Sequence, residues 1–176
     1  MTRYVALLRG INVGTAKPIA MSDLSACFEA LGFTRVRTLL RSGNVVFDAA
    51  GPVDPLALER AIADATGVTA AVVVVDDARL RQIVDENPLA SVASDPSRAL
   101  VYFLDRVPDD TGLGRPSDDD LLPERLAFGP HAIYQWCPDG ISKSRVPVKF
   151  FSTLGTTATG RNLRTVEKLV ALLDTP

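Results

Sequence analysis

Three short stretches of this chain carry the side chains that hold anions. The first is Leu7-Leu8-Arg9-Gly10-Ile11-Asn12-Val13-Gly14, the second Arg41-Ser42-Gly43-Asn44 and the third Thr159-Gly160-Arg161-Asn162. A guanidinium offers a planar fork that matches the oxygens of a carboxylate or a phosphate, and glycine lets backbone N–H groups come close to the same oxygens. The candidate ligand-binding residues are therefore Arg9, Gly10, Asn12, Arg41, Ser42, Gly43, Asn44, Arg161 and Asn162, with Lys143 added from the basic loop Ser142-Lys143-Ser144-Arg145.

Other chemistries find less support. Gly10-Ile11-Asn12-Val13-Gly14-Thr15-Ala16-Lys17 lacks the Gly-Lys-Ser/Thr ending of a nucleotide phosphate loop, and no helix opens directly on it. Ser142 and Ser144 flank Lys143, but adjacent residues rarely face one another as nucleophile and base. The only histidine, His131, follows a proline in a turn without a second ligand type nearby. Asp118-Asp119-Asp120 reads as the charged first turn of a helix rather than a metal site. Cys27 and Cys137 sit in apolar patterns on separate elements, as buried thiols do. No zinc-protease helix, nucleophile elbow or carboxylate pair is present. Neither a metal nor a cofactor is expected, and no catalytic residue is nominated.

Composition sets the frame for these residues. The chain has 176 residues, 47% hydrophobic and 23% charged, which is enough apolar material for one ordinary domain or two small ones. A net charge of -2 and a pI near 5.4 leave no global basic footprint, so any anion or nucleic-acid contact must come from a local cluster. No apolar run approaches the roughly 20 residues of a membrane span, and the N-terminus lacks a signal-peptide core, so a cytoplasmic address is expected, with no membrane partner.

Periodicity places the motifs on elements. A strand from Tyr4 to Leu8 precedes the first loop. Leu24, Cys27, Phe28 and Leu31 form the stripe of a helix over 21–31, closed by Gly32. Arg35 to Leu40 alternates as a strand, Arg41 to Asn44 is turn chemistry in which Gly and Asn accept positive φ, and Val45-Val46-Phe47 resumes a strand. Asp54-Pro55 starts a second helix with Leu58, Ala61, Ile62 and Ala65 inward and Gly67 as its stop. Thr69 to Val75 is β-branched and unbroken, as in a strand buried on both faces. Asp76 caps a third helix that ends at Asn87-Pro88.

The pattern then begins again. It runs through a strand at 99–104, a Pro/Gly/Asp loop, a short helix from Ser117, strands at 125–128 and 132–137, a helix near 147–154, a short strand at 157–159 and a last helix capped by Asn162. Strand, helix, strand, strand, helix, strand is the split βαβ unit, so the expected fold class is α+β, with two ferredoxin-like halves of mainly antiparallel sheet covered by helices. The expected division is 1–88, a polar linker at 89–97, and 98–176. In such a unit the first and second strands run the same way. The loop after the first and the hairpin after the second then share one end of the sheet, which brings Arg9, Gly10 and Asn12 beside Arg41 to Asn44 across roughly thirty residues of chain. Thr159 to Asn162, opening the last helix, would add a third arginine and a positive helix end only if the halves face each other.

The same stretches, LLRGINVG at 7–14 and RSGNVVF at 41–47, with Gly140-Ile141-Ser142-Lys143-Ser144 and Thr159-Gly160-Arg161-Asn162, resemble a bacterial family catalogued as domain of unknown function 1697. The resemblance spans nearly the whole chain and implies two ferredoxin-like halves but no established activity. Two positions depart from the family pattern: Thr15 stands where members often carry glycine, and Leu163 where many carry tryptophan, which weakens any aromatic stacking role there.

Three functions compete at this stage. One is a binding module for an anionic, phosphate- or carboxylate-bearing small molecule. Nucleic acid is its lesser variant, since the closely spaced aromatics of RNA-binding sheets are missing. The second is an enzyme on a small anionic metabolite, which lacks a nominated general base. The third is a structural or interaction protein, in which Arg9 and Arg41 form ion pairs and Asn12, Asn44, Gly10, Gly14 and Gly43 only shape turns.

Overall fold

The computed structural model describes residues 1–14, 17–106, 108 and 115–175. Thr15 and most of the Pro/Gly/Asp loop before Ser117 lie outside the described residues. The chain divides into two compact units, Met1–Leu80 together with Leu169–Pro176, and Arg81–Lys168.

The first unit contains β1 (Thr2–Leu8), α1 (Met21–Ala30), β2 (Thr34–Leu39), β3 (Asn44–Ala49), α2 (Pro55–Thr66) and β4 (Val72–Asp76). Its sheet has the order β2-β3-β1-β4, with every neighbouring pair antiparallel, which is the ferredoxin-like arrangement. As the inner strands, β1 and β3 carry the buried runs Val5 to Leu8 and Asn44 to Ala49. Ala6, Leu8, Val45 and Phe47 meet Leu24 and Phe28 of α1 and Leu58 and Ile62 of α2. The Phe47 ring meets Phe28 edge-on at 5.0 Å and Phe33 at 4.7 Å. Each of these large side chains contributes about 1.5–3 kcal/mol by leaving water.

Asp54 caps α2 by accepting the Leu56 N–H at 3.0 Å, Pro55 opens the helix, and Gly67 closes it at φ +71°. Three expectations need correction. Helix α1 ends at Ala30, so Leu31 falls outside the buried stripe and is 43% exposed. Strand β4 begins at Val72 and lies at a sheet edge, with Val74 and Asp76 only partly buried. Asn44 belongs to β3, and the positive φ in the hairpin is taken by Leu40 (+60°) and Gly43 (+79°).

The second unit repeats the plan with β5 (Ala99–Leu104), α4 (Asp118–Leu121), β6 (Arg125–Phe128), β7 (Ala132–Trp136), α5 (Val148–Thr153) and β8 (Ala158–Asn162), in the order β6-β7-β5-β8 and again antiparallel. One sheet face packs Leu126 and Ile133 against Leu121, Val146, Phe150 and Leu154. Strand β8 is longer than the stretch 157–159 that the sequence indicates, and Arg161 sits within it opposite Val101.

Strands β4 and β8 each pass straight into a helix, α3 (Asp77–Asp85) and α6 (Leu163–Leu173). The caps correspond. Asp76 accepts the Arg79 N–H at 2.7 Å, and Asn162 accepts the Thr165 N–H at 2.9 Å, three residues on in both cases. Among the described residues no helix is long and apolar enough to cross a membrane.

Candidate functional site

Pairing in the first sheet decides which loops meet. Leu7 of β1 and Leu39 of β2 both lie opposite Asn44, so the end of β1 and the β2–β3 hairpin share one rim. Two backbone bonds extend the ladder into that rim: Leu8 N–H donates to the Gly43 carbonyl and Arg9 N–H to the Ala71 carbonyl, each at 2.8 Å. Asn12 then ties three elements together. Its Nδ2 donates to the Arg41 carbonyl at 2.8 Å and to the Ile19 carbonyl at 3.1 Å, while its Oδ1 accepts the Ile19 N–H at 2.8 Å. Asn12 adopts φ +55°, a left-handed conformation that asparagine tolerates better than most residues. Ile19 immediately precedes Ala20, the N-cap of α1, so the start of that helix is drawn to the same rim.

The rim is built from structural amides and exposed cations. Arg9 and Arg41 are exposed, and neither guanidinium has a side-chain or carbonyl partner among the described residues. Among the described residues they form no ion pair with an acidic neighbour. Asn44, by contrast, is fully buried, with Nδ2 donating to the Leu39 carbonyl at 2.7 Å and to Ser42 Oγ at 3.0 Å, so its amide shapes the hairpin. Gly43 serves packing as well as φ, because an added Cβ would lie 2.7 Å from Ile11 Cδ1 and 2.8 Å from Leu8 Cβ. Gly10, at φ +68°, is exposed with open space around it. Ala20 offers no capping side chain, which leaves the first N–H groups of α1 without that partner, although Asp23 in the first turn already offsets some of the positive end.

The remaining candidates belong to the second unit. Trp136 pairs with Ala99 and Asn162 with Leu100, so the connection after β7, which carries Lys143, lies at the same sheet end as Asn162. Asn162 is engaged in capping, since its Oδ1 also accepts from Thr165 Oγ1 at 2.7 Å. Arg161 is 8% exposed, with NH1 donating to Thr159 Oγ1 at 3.0 Å and to the Gly160 carbonyl at 2.9 Å. Burial pulls its pKa down to about 10. It is a strand residue in a protein interior, not an arginine offered from a loop. Lys143 ends a single 3₁₀ turn, Ile141–Lys143, and lines a cleft with Glu124, Cys137 and Ser144.

Sequence periodicity gives no hint of what organises that cleft. Glu124, 5% exposed, receives a bond from Gln135 Nε2, one from Ser144 Oγ at 2.6 Å and one from the Cys137 thiol at 3.6 Å, all on Oε1, while Oε2 accepts the Arg145 N–H at 2.7 Å. Gln135 Oε1 accepts from Tyr102 OH at 2.7 Å. Burial, reinforced by the Glu124 charge, pushes the Cys137 thiol up to about 12, which leaves it unreactive. Every oxygen of Glu124 is occupied, and the arrangement anchors the 137–146 connection to β6 and β7. A second buried carboxylate, Asp48, accepts from Arg3 Nε at 3.0 Å and from Arg35 Nε at 2.6 Å in the first unit.

A family model described as "Protein of unknown function (DUF1697)" matches residues 1–134. The chain belongs to the DUF1697 family. The match takes in the rim formed by Arg9, Asn12 and Arg41, together with β5, β6 and the start of β7, whereas Lys143, Arg161 and Asn162 fall beyond it. Among solved structures, the conserved bacterial protein SP0830 from Streptococcus pneumoniae is 25% identical, with a TM-score of 0.71 over 98% of this chain and 99% of that one. The α+β plan of two halves is thus shared with it along the whole chain. No curated protein matches this DUF1697 chain.

Proposed function

We propose that this protein binds an anionic ligand, phosphate- or carboxylate-bearing, at the rim where the β1–α1 loop meets the β2–β3 hairpin. The observation that carries this reading is the state of Arg9 and Arg41. Both are exposed on one rim, held in place through backbone bonds, and neither is neutralised by a side chain of the described residues. A guanidinium left in that state adds nothing measurable to folding, whereas an incoming oxyanion would gain charge-assisted bonds from it. Gly10 leaves the backbone approachable between them. Binding is favoured over catalysis because the two arginines supply donors here, while no described side chain of the rim is a general base at neutral pH.

A thermal-shift series with inorganic phosphate, nucleotides and dicarboxylates tests the proposal, since a ligand that binds only the folded state raises the melting temperature by mass action. Arg9→Ala and Arg41→Ala should keep the ligand-free melting temperature and lose the ligand-induced rise. If both substitutions lower that temperature and no anion raises it in the unmodified protein, the arginines are structural and the proposal fails.

A further inference from the structure

The charged groups do not stand alone on that rim. Val13 follows Asn12 directly and is 59% exposed; Leu40 precedes Arg41 directly and is 48% exposed. Asn12 and Arg41 are themselves bonded to each other, so the two apolar residues flank in sequence the two ends of one hydrogen bond, on the rim that carries Arg9 and Arg41. Isolated exposed apolar residues are ordinary, but these two share one rim with the unneutralised arginines. Leu40 is also the wrong residue for its backbone. At φ +60° a leucine is strained where glycine or asparagine would rest easily, and such outliers, held by the structure around them, cluster at functional sites.

We propose, building on the anion-binding reading above, that the anion at this rim is carried by a protein partner. Its binding segment would present carboxylates to Arg9 and Arg41 and apolar side chains to Val13 and Leu40. Charge complementarity selects a carboxylate-bearing segment, and arginines beside apolar contacts are the usual centres of such interfaces. A nucleic acid fits less well, because the aromatic rings of this unit, Tyr4, Phe28, Phe33 and Phe47, pack against one another in or against the core and offer no base-stacking platform beside the arginines. A membrane surface is also a poorer match, since polybasic recognition takes a cluster of about 4–8 cations.

The test uses three fluorescein-labelled peptides of equal length, one of alternating Glu and Leu, one of Glu and Ser, and one of Lys and Leu, read by anisotropy against the full chain, alongside thermal shifts with inorganic phosphate. The Glu/Leu peptide should bind at least about fivefold more tightly than Glu/Ser, and Lys/Leu should not bind. Leu40→Gly suits the backbone conformation and should keep the melting temperature at or above that of the unmodified protein, yet lose the Glu/Leu preference. Arg41→Gln should lose both peptide binding and the phosphate shift. Equal binding of Glu/Leu and Glu/Ser, or an unchanged preference in Leu40→Gly, overturns the inference while leaving the anion site standing. A phosphate shift without binding of any peptide does the same. Absence of both the phosphate shift and peptide binding overturns the two readings together.

Discussion

Asn12 grips Arg41 by its backbone and leaves its side chain loose. The 2.8 Å bond from Nδ2 ends on the Arg41 carbonyl, while the guanidinium at the far end of the side chain has no partner among the described residues. Position is thereby separated from charge. Removing the amide should therefore act on stability, and removing the guanidinium on ligand binding. Asn12→Ala loses three hydrogen bonds and places alanine at φ +55°, which together should cost about 2–4 kcal/mol. Asn12→Gly keeps the backbone comfortable and should recover about 1 kcal/mol of that loss. Urea denaturation of both variants checks this, and equal midpoints for Asn12→Gly and the unmodified protein would show that the three bonds contribute nothing.

How far the sequence already announced this rim depends on which interactions are local. Element order and the caps Asp54, Asp76 and Asn162 follow from residues a few positions apart, and the βαβ connectivity alone places Arg9 and Arg41 at one sheet end. What stayed hidden depends on distant partners. Nothing near Asn44 in sequence says that its amide is buried against Leu39 and Ser42, and nothing near Leu40 says that it takes the left-handed turn position. The sequence places Gly160 and Arg161 at the opening of the last helix, beyond a short strand at 157–159. In the fold that glycine lies under the Tyr102 ring, where a Cβ would sit 2.9 Å from Cε1, so it is a strand residue serving a cross-strand packing need. Glu124 was invisible for the same reason, since its donors come from positions 11 to 21 residues away.

Glu124 gives the second prediction. Gln135, Cys137, Ser144 and Arg145 all donate to it, so Glu124→Gln would turn an amide N–H₂ toward groups that also donate. The expected loss is about 2–4 kcal/mol, the range for a buried polar group left mismatched. Ser144→Ala should cost less, about 1 kcal/mol, because Gln135 and Arg145 still reach the carboxylate. Denaturant midpoints that place Ser144→Ala below Glu124→Gln would show that the hydroxyl, not the carboxylate, is the centre of this network.

Asp48 sets the acid limit. Burial raises its pKa, but the hydrogen bonds and charges of Arg3 and Arg35 outweigh burial and hold the carboxyl below its usual 3.8. A folded pKa below the unfolded one means that the contribution is present above about pH 4 and is lost as pH falls through the lower folded value. Asp48→Asn should remove about 3 kcal/mol at pH 7, since Arg3 would be left 14% exposed without its anion. The variant should then lose less further stability than the unmodified protein between pH 4 and 2. Parallel acid-denaturation curves for the two proteins would contradict this assignment.

Cys137 sets the alkaline limit by the opposite sign. Burial first, and then the Glu124 charge, raise its thiol from 9.0 to about 12. In the unfolded chain the thiol ionises near its ordinary value, while in the native protein it stays protonated, so the native state loses relative stability as pH rises from about 9 to 12. The Cys27 thiol is raised by burial as well and works in the same direction. Two measurements follow from this. Ellman's reagent at pH 8 should label neither cysteine in the native protein and both in denaturant, because the reactive thiolate is suppressed and inaccessible. Cys137→Ala should flatten the decline of the denaturation midpoint between pH 9 and 11, whereas rapid labelling of Cys137 in the native state would place its thiol outside the Glu124 network altogether.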